Sequence, residues 1–451
     1  MRLYYLRGGR QGLPDGDDGV AGLLGALTLM GCRTRSSLSR RGLGRLVVAC
    51  SLYGFSSPLL ISGCGARSTP REEVTTEGKV LAIRLSNSPN VGGDLLGVGK
   101  GYVMLVDEGG SYQVLDVKDM LGGGLVWNET GLFFSGRNDE YHVDGSGVTS
   151  FPRGVDEGYE VGGYSTSDSQ GYMAFYSRAG VQSVIVGDKT GIKGRSDQNG
   201  MFASNGHCGD RVVSIVNTGY APDIGSRITL PDSNGPFDAL VQVYPHAEGG
   251  DLPVILGTDE HDDSLDAALN YYTCDTDVIY VPTAKRSHPQ ADPGNGLDPT
   301  AATLVIQAWD TSSGQRRIIP VIDASGTPLD FSSQDISGAA NRIIDGELQV
   351  VTREGEAYRV ELPTGALKSH FSIPLSDELS FSQFAFMDAY VFVLDVPADP
   401  DADLTMSRYG MSSGEASSIM AIHGASRFRS GGLLVDDPTV QSIALRPGYT
   451  G

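Results

Sequence analysis

Short apolar segments separated by turn-forming residues are the feature that most limits what this chain can fold into. From Lys79 onward, Gly, Asp, Asn, Ser or Pro interrupts the sequence at nearly every tenth position, and no segment keeps a helical period for more than a few turns. Many short strands with regular turn signals are typical of sandwiches, barrels and propellers, so the fold class is predicted to be all-β. The best candidate for a short helix covers 262–269, because it starts with acidic residues. Clear strand candidates lie at 102–106, 132–134, 212–216, 278–281 and 348–351.

A pattern of strand, turn and strand is repeated along the chain. The clearest copy covers 345–367, and further copies cover 304–315 and 102–117. The second strand of a copy ends in Asp or Glu, and Gly follows a few residues later, as in Asp310 and Gly314. These copies resemble the blade repeat of quinoprotein-like β-propellers, loosely over most of 79–451 and well in three or four blades. The resemblance implies a ring of four-stranded blades around a channel.

The spacing of the strands fits seven blades, and six blades, eight blades or an irregular β domain remain alternatives. The predicted blades cover 79–119, 120–155, 156–198, 199–250, 251–328, 329–375 and 376–451. Two of them are long enough to need insertions, at 282–302 and 397–417. We expect the ring to close by pairing 80–83 with 442–445, which are apolar segments near the two ends of the domain.

The segment that precedes the strands has the organisation of an export signal. A basic cluster lies between 33 and 45, an apolar run follows from 46 to 60, and Ser62, Gly63 and Cys64 end the segment. This order of regions is typical of secretory signals. The run 60–64 resembles the lipobox of bacterial lipoproteins, which implies cleavage before Cys64 and acylation of that residue. The alternatives are a plain signal peptide and an uncleaved anchor.

The resulting domain organisation has three parts. Residues 1–63 form the signal, 64–78 form a polar tether, and 79–451 form the propeller. Acidic residues at 15, 17 and 18 are unusual ahead of an apolar run, so 1–29 are interpreted as a start-site error with Met30 as the true start. High Gly content and Arg in place of Lys in the leader suggest an origin in a high-GC Gram-positive, actinobacterial species.

The charge of the domain excludes one class of partner. The full chain carries a formal net charge of −21, and the first 63 residues hold eight Arg and three Asp, so the remainder carries −26. Nucleic-acid binding needs a basic surface, so no nucleic-acid partner is expected. An anionic bilayer would also repel the domain, so attachment to the membrane is assigned to the lipid on Cys64.

The cysteines support an exported domain. Only Cys208 and Cys274 lie beyond Cys64, and two cysteines in an exported domain most simply form one disulfide. Two unrelated buried thiols are the alternative. Neither residue belongs to a Cys-x-x-Cys motif, so the sequence supports no zinc or thiol-redox site.

No motif in the sequence predicts catalytic, cofactor-binding or metal-binding residues. The quinoprotein resemblance implies a tryptophan-rich docking pattern and adjacent cysteines, but the mature chain has only Trp127 and Trp309 and no adjacent cysteine pair, so no cofactor is expected. The segment 399–403 has the 1-3-5 acidic spacing of a calcium loop, but it has Leu404 and Gly410 where an EF-hand has Gly and Glu. The acidic segment 259–263, which contains His261, is interpreted as a solvated loop ahead of the predicted helix.

These observations favour a non-enzymatic, lipid-anchored binding or scaffolding module on the extracytoplasmic face of the cell membrane. Its expected partner is an envelope protein, peptide or glycan, recognised by the insertions at 282–302 and 397–417 because variable loops on rigid scaffolds carry function. The alternative is an extracytoplasmic hydrolase or lyase with carboxylates at the mouth of the channel. A cluster of such carboxylates with perturbed pKa would favour that alternative.

Overall fold

A computed structural model describes most of the chain after residue 67. The described residues are 68–86, 101–117, 123–154, 159–178, 181–200, 204–228, 236–245, 252–267, 272–287, 301–332, 335–336, 340–376, 382–399, 401–429 and 438–451. The chain divides into two units after Gly65. The predicted signal, the predicted acylation site Cys64 and the central part of the 282–302 insertion lie outside the described residues.

Seven antiparallel sheets form the described part of the second unit, and each sheet is one blade. Blade 1 contains β1 (Lys79–Ser86), β2 (Gly101–Asp107) and β3 (Tyr112–Asp116), and β30 (Thr439–Leu445) completes it. Blade 2 contains β4 (Leu125–Asn128), β5 (Gly131–Ser135), β6 (Asp139–Asp144) and β7 (Gly147–Pro152). Blade 3 contains β8 (Tyr159–Ser165), β9 (Gly171–Arg178), β10 (Val181–Asp188) and β11 (Gly191–Asn199). Blade 4 contains β12 (Ser204–Cys208), β13 (Arg211–Asn217), β14 (Phe237–Tyr244) and β15 (Val254–Glu260).

Blade 5 has the same four positions, but two of them are split. Its strands are β16 (Leu265–Ala267), β17 (Thr273–Asp275), β18 (Val278–Arg286), β19 (Ala301–Asp310), β20 (Arg316–Pro320) and β21 (Asp330–Ser332). β16 and β17 both pair with β18, and β20 and β21 both pair with β19. Blade 6 contains β22 (Ala340–Ile344), β23 (Glu347–Val351), β24 (Glu356–Glu361) and β25 (Leu367–Ser372), and blade 7 contains β26 (Gln383–Met387), β27 (Tyr390–Asp395), β28 (Leu404–Gly410) and β29 (Ala416–Ile422). Short helical turns lie at Arg71–Glu73, at α1 (Pro222–Gly225) and at α2 (Ser426–Arg429).

The innermost strands of the seven blades contact one another in a closed ring. In order they are β30, β4, β8, β12, β17, β22 and β26, and β26 contacts β30 again. β30 pairs with β1 in the register Leu81 to Leu445 and Ile83 to Ile443. The ring is therefore a seven-bladed β-propeller, as predicted, and the predicted closure between 80–83 and 442–445 is confirmed.

The hydrophobic core lies between neighbouring blades, so the inner strands of each blade are buried on both faces. All eight residues of β1 are buried. One apolar cluster joins Leu81 and Met104 of blade 1 to Phe392 and Met406 of blade 7. Strands that are buried on both faces have continuous apolar sequences instead of an apolar-polar alternation. This explains the unbroken apolar run at 102–106.

The glycine in the sequence repeat has a packing role. Gly314 and Gly365 lie in the turns between the third and fourth strands of blades 5 and 6, with positive φ angles of 72° and 77°. Each lies against the backbone of the preceding blade, at Leu256 and Pro320 respectively, where a Cβ atom would have no space. The same arrangement is found at Gly110 against Ala421. The repeat therefore marks contacts between blades as well as turns.

Two predicted elements are wrong. The helix at 262–269 is not formed, because 265–267 form strand β16, in which Leu265 pairs with Lys285. The Asp262 carboxylate accepts hydrogen bonds from the backbone N–H and the hydroxyl of Ser264, which gives a local turn ahead of that strand. The predicted insertion at 397–417 is also wrong, because 404–410 form β28, the third strand of blade 7, and 416–417 begin β29. The predicted boundary at 250 falls before β15, which is the outer strand of blade 4.

The segment 68–78, here called the strap, packs on the outer edges of blades 1 and 2. The backbone N–H of Thr69 donates to the carbonyl oxygen of Val114 (2.8 Å), and the Val114 N–H donates to the Thr69 hydroxyl (3.0 Å). Val74 is fully buried in the core between these blades. The N–H of Thr76 donates to the carbonyl oxygen of Asp144 (3.1 Å). The segment 68–78, which belongs to the predicted polar tether, therefore packs against the propeller.

Candidate functional site

The two faces of the ring differ in the length of their connections. Because the strands of each blade are antiparallel, the turns from first to second and from third to fourth strand share one face. The connections from second to third strand and from one blade to the next share the opposite face. Wherever ten residues or more separate two consecutive strands of the described chain, the flanking strand ends lie at this second face, here called the long-connection face. The separating segments are 87–100, 218–236, 287–300, 373–382 and 423–438. The first face, here called the tight-turn face, has shorter turns, such as 345–346 and 411–415. Long connections on a rigid scaffold are where binding residues concentrate, so the long-connection face is the candidate site.

A buried polar cluster lies between blades 1, 2 and 3, near the same face. Arg84, Glu140, Arg153 and Glu160 have exposed fractions of 0%, 1%, 2% and 4%. Glu140 and Glu160 are the second residues of β6 and β8, which places both near the long-connection face. Burial of charged groups is costly unless they are paired, so such a cluster needs internal partners.

Glu140 is the centre of this cluster. The Tyr176 hydroxyl donates to Glu140 Oε1 (2.5 Å), the Ser135 hydroxyl donates to Oε2 (3.0 Å), and Arg153 Nε lies 3.6 Å from Oε1. The Arg153 guanidinium also lies over the Tyr176 ring, at 4.5 Å from its centroid, and donates to the carbonyl oxygens of Gly136 and Arg137. Burial raises the pKa of Glu140, and Arg153 acts against that rise.

Glu160 is a second buried carboxyl group of this cluster, and its pKa is raised into the neutral range. Burial, together with the charge of Glu140, raises its pKa from 4.5 to about 8, and Arg84 and a hydrogen bond from the Gly124 backbone lower it only in part. Gly124 is needed at this position, because a Cβ atom there would lie 3.0 Å from Glu160 Oε1 and 2.9 Å from the backbone nitrogen of Gly163. Glu160 is therefore mainly protonated at pH 7. Since the cluster is closed to solvent, it does not form an accessible acid pair for a substrate.

The acidic segment 259–263 is organised by an arginine. Arg316 of blade 5 donates from Nε to Asp259 (2.7 Å), from Nη1 to Asp238 (2.9 Å) and from Nη2 to the carbonyl oxygen of Glu260 (2.5 Å). His261 lies between Asp238 (2.8 Å from Nδ1) and Asp263 (3.0 Å from Nε2). The segment joins blades 4 and 5 through charge pairs. Its interpretation as a solvated loop ahead of a helix is wrong, because Asp259 and Glu260 end strand β15 and strand β16 follows.

The acidic segment 399–403 is held by a second arginine. Arg429, which is 6% exposed, donates to the carbonyl oxygens of Pro397 (2.5 Å), Asp399 (3.3 Å) and Ala402 (3.4 Å). Asp403 accepts hydrogen bonds from His423 Nδ1 (2.6 Å) and from the backbone N–H of Gly424 (3.1 Å). The guanidinium thus binds carbonyl oxygens that a calcium loop would turn towards its ion. Among the described residues, no group of three or more His, Cys, Asp or Glu side chains has a geometry that could hold a metal ion.

A half-exposed acidic group lies on the long-connection face of blade 6. His370 Nε2 and the Ser372 hydroxyl contact the two carboxylate oxygens of Glu356, at 2.5 Å and 2.7 Å. Burial raises the pKa of Glu354, and the charge of Asp335 adds to that rise. Burial also raises the pKa of Asp335, and the negative charge of Glu356 adds to this rise. Carboxyl groups with raised pKa that solvent reaches are suited to proton transfer, so this group, here called the blade 6 acidic group, is a candidate for proton transfer on this face.

The two cysteines of the domain are neighbours in space. Cys208 ends β12 and Cys274 lies in β17, so they belong to the inner strands of blades 4 and 5. They are paired with a Cα–Cα distance of 5.2 Å, which lies in the usual range for disulfides. Oxidation of this pair remains a proposal, and the pairing geometry supports it.

Sequence reasoning did not find the buried polar cluster, because its members come from three blades and lie far apart in the chain. One signal was available. Arg84 lies inside the otherwise apolar run 80–85, and a charged residue in a strand that is buried on both faces needs a buried partner. No helix in the part of the chain that the structure describes is long and apolar enough to cross a membrane.

Comparisons with known proteins do not assign a family. No family model matches the chain. A segment of 107 residues, 24% of this chain, is 33% identical to chorismate synthase from Methanosarcina barkeri (strain Fusaro / DSM 804). The matched segment spans 29% of that relative's length, which is too little to show membership of its family.

Solved structures that resemble this protein in backbone fold have low sequence identity to it. A protein from Lactobacillus plantarum is 12% identical, with 81% of this chain and 99% of that chain covered and a TM-score of 0.43. The β-propeller domain of the Trilobed protease from Pyrococcus furiosus is 11% identical, with coverages of 76% and 94% and a TM-score of 0.42. BamB from Moraxella catarrhalis is 13% identical, with coverages of 65% and 73% and a TM-score of 0.36. Scores this low carry no argument about function, and the propeller assignment depends on the sheet order of this chain itself.

Proposed function

We propose that this chain is a lipid-anchored propeller that binds or scaffolds a partner at the outer face of the cell membrane without catalysing a reaction. The anchor is the acylated Cys64, and the partner is an envelope protein, peptide or glycan. Support for export comes from the leader sequence and from the pairing of Cys208 with Cys274. A stable anchor needs more than one acyl chain, so Cys64 carries a diacylglyceryl group.

One observation supports the binding role, namely that the described strand ends flanking every separation of ten residues or more lie on the long-connection face. The described turns of the opposite face are shorter, so the two faces of the ring differ in the length of the segments that join the strands. The recognition segments are therefore 287–300 and the other long connections of this face. The segment 404–410 is not among them, because it is strand β28.

Intact mass of the protein extracted from native membranes tests the anchor. The expected species begins at Cys64 and carries a diacylglyceryl mass, whereas a Cys64→Ala variant lacks it. An unmodified mass that starts elsewhere in both proteins would remove the lipid anchor from the proposal.

Site-specific photo-crosslinking in the cells that make the protein tests the binding face. A photoreactive amino acid replaces Asp401 in one variant and Ser412 in the other. Both positions are exposed and both belong to blade 7, but they lie on the long-connection and tight-turn faces respectively. We expect one discrete crosslinked product from position 401 and none from 412. Equal amounts of crosslinked product from positions 401 and 412 would contradict recognition by this face. So would the absence of product both from position 401 and from a photoreactive residue placed in 287–300.

The blade 6 acidic group favours a second candidate, an extracytoplasmic hydrolase or lyase. It supplies carboxyl groups whose pKa is raised by burial and a histidine that contacts Glu356, near the strand ends of the long-connection face. Turnover of envelope glycans or peptides by purified protein, lost in Glu354→Gln and retained in Glu129→Gln, would favour the enzyme. Glu129 is a suitable control because it lies in a turn on the opposite face.

A further inference from the structure

We infer that the outer edge of blade 1 lies at the membrane surface, with blades 4 and 5 on the side of the ring that faces away from the lipid. This inference rests on the proposed acylation of Cys64 and deepens it by assigning the surface that meets the bilayer. The observation that carries it is the strap, which joins the ring at the outermost strand of blade 1 and not on either face.

The strap is fixed to the ring along its length. Thr69 exchanges two hydrogen bonds with Val114 of β3, which is the outer strand of blade 1. The Gln113 side chain bridges the strap, since its Nε2 donates to the carbonyl oxygen of Glu73 (3.0 Å) and its Oε1 accepts from the N–H of Thr75 (3.3 Å). Arg71 donates to the Ser150 hydroxyl of blade 2 (2.9 Å). These bonds and the buried Val74 leave no part of 69–78 available as a spacer.

Chain length then limits how far the ring stands from the lipid. Thr69 follows Cys64 by five residues, and consecutive Cα atoms are 3.8 Å apart, so Val114 lies within about 20 to 25 Å of the acylated residue. A tether of fifteen free residues, as the sequence predicted, would allow more than twice that reach. The ring can pivot about this point. Its attached edge nevertheless stays nearer to the lipid, on average, than the opposite edge.

The order of blades identifies the opposite edge. Inner strands follow one another around the ring from blade 1 to blade 7, so blades 4 and 5 are the farthest from blade 1. Glu108 and Ser312 occupy the same turn, between third and fourth strands, in blades 1 and 5, and both are exposed. They form a matched pair of positions for measuring distance from the membrane.

Charge does not hold blade 1 at the bilayer. The exposed strap residues Glu72, Glu73 and Glu77 are acidic and would be repelled by anionic lipids. The short tether therefore keeps the edge of blade 1 close to the bilayer in spite of this electrostatic repulsion. We expect the separation to be smaller on zwitterionic vesicles than on anionic ones, and the difference to disappear as salt screens the charges.

Energy transfer between the protein and labelled lipid headgroups tests the inference. The native lipidated protein carries an azido amino acid at position 108 or at position 312, labelled with a donor dye, in phosphatidylcholine vesicles with headgroup acceptors. We expect clearly higher transfer from 108 than from 312. A third variant with fifteen Gly and Ser residues inserted between Gly65 and Ala66 should lose most of the difference.

The outcomes separate this inference from the proposed function. Lipidated protein that binds vesicles but shows equal transfer from both positions, or higher transfer from 312, overturns the orientation and leaves the anchor intact. Protein that carries no lipid and does not bind vesicles overturns the anchor itself, and with it the basis of the orientation. Energy transfer that is higher from position 108 and remains so in the variant with the longer tether also contradicts the inference. The contact between blade 1 and the bilayer would then depend on the surface of the blade and not on the short tether.

Discussion

Gly365 of blade 6 lies directly against the carbonyl oxygen of Pro320 in the outer strand of blade 5. The position that a Cβ atom would take at Gly365 is already filled by this oxygen and by the Ile319 side chain. The φ angle of Gly365 is 77°, which side chains rarely adopt. The residue thus combines a turn conformation with a contact between blades, and the two effects can be separated by mutation.

Gly365→Ala is expected to lower the free energy of unfolding by about 3 kcal/mol, because it adds a clash of about 1–3 kcal/mol to a conformational cost of about 1 kcal/mol. Gly346→Ala is the matched control. Gly346 has a φ angle of 75°, but a Cβ there would meet nothing within 4 Å. Gly346→Ala should therefore lower the free energy of unfolding only by the conformational cost of about 1 kcal/mol. Urea unfolding of the three proteins measures the difference, and equal losses in both variants would show that the contact with Pro320 adds nothing.

Glu160→Gln is expected to remove a pH-dependent loss of stability. Since the folded-state pKa is raised from 4.5 to about 8, the unfolded chain releases this proton first as pH rises. Stability is therefore unaffected by Glu160 below about pH 4.5, falls as pH rises from 4.5 to 8, and is lowest above pH 8. A shift of about 3.5 pKa units corresponds to roughly 5 kcal/mol, so the variant should be more stable than the wild type by a few kcal/mol at pH 8.5.

Unfolding free energies of wild type and Glu160→Gln at several pH values between 4 and 9 test this, with Glu129→Gln as an exposed control. The difference between wild type and Glu160→Gln should grow with pH and then level off. A difference that is constant over this range would show that the pKa of Glu160 is the same in the folded and the unfolded protein.

The ring could be predicted from the sequence because its determinants are local. Apolar runs such as 102–106 mark strands that are buried on both faces, and the turn from Asp310 to Gly314 marks the contact between blades. The closure of 80–83 with 442–445 followed from two apolar segments left at the ends of the domain. Local signals failed at 262–269, where an acidic start suggested a helix and pairing of Leu265 with Lys285 gave a strand instead.

The candidate site could not be predicted to the same extent, because its residues meet only when blades pack. Glu140 and Glu160 belong to different blades, and their raised pKa depends on burial that no local pattern encodes. The blade 6 acidic group likewise requires Asp335 to approach Glu354, across the connection between blades 5 and 6. The charged segment 399–403 was visible in the sequence, but its partner Arg429 lies almost thirty residues later.

Arg429→Met is expected to destabilise the segment 397–402. A buried guanidinium that donates to three carbonyl oxygens contributes about 2–4 kcal/mol, because hydrogen bonds to charged donors are stronger than neutral ones and the carbonyls would be left without these donors. Arg427→Met on the same helix is the control, since Arg427 is exposed and contacts the Phe428 ring at 5.0 Å from its centroid. Arg427→Met should lower the free energy of unfolding by about 1 kcal/mol or less.

Hydrogen exchange of peptides that cover 397–403 measures the local effect of Arg429→Met. Faster exchange is expected in Arg429→Met alone, and calcium should not slow it in the wild type, because the guanidinium already binds the carbonyl oxygens. Protection by millimolar calcium in the wild type would instead identify the segment as an ion site.

The proposed disulfide between Cys208 and Cys274 is expected to hold blades 4 and 5 together at the inner strands. It would close a loop with a sequence separation of 66, for which the chain-entropy model gives about 4 kcal/mol. The non-reduced protein should be two hydrogens lighter than the reduced chain and should resist alkylation at both residues. A Cys208→Ala and Cys274→Ala double variant should unfold at lower urea than the oxidised wild type, and a reducing agent should bring the wild type close to the variant. Alkylation of both cysteines in the folded, non-reduced protein would establish two free thiols, and the compartment argument would then depend on the leader sequence alone.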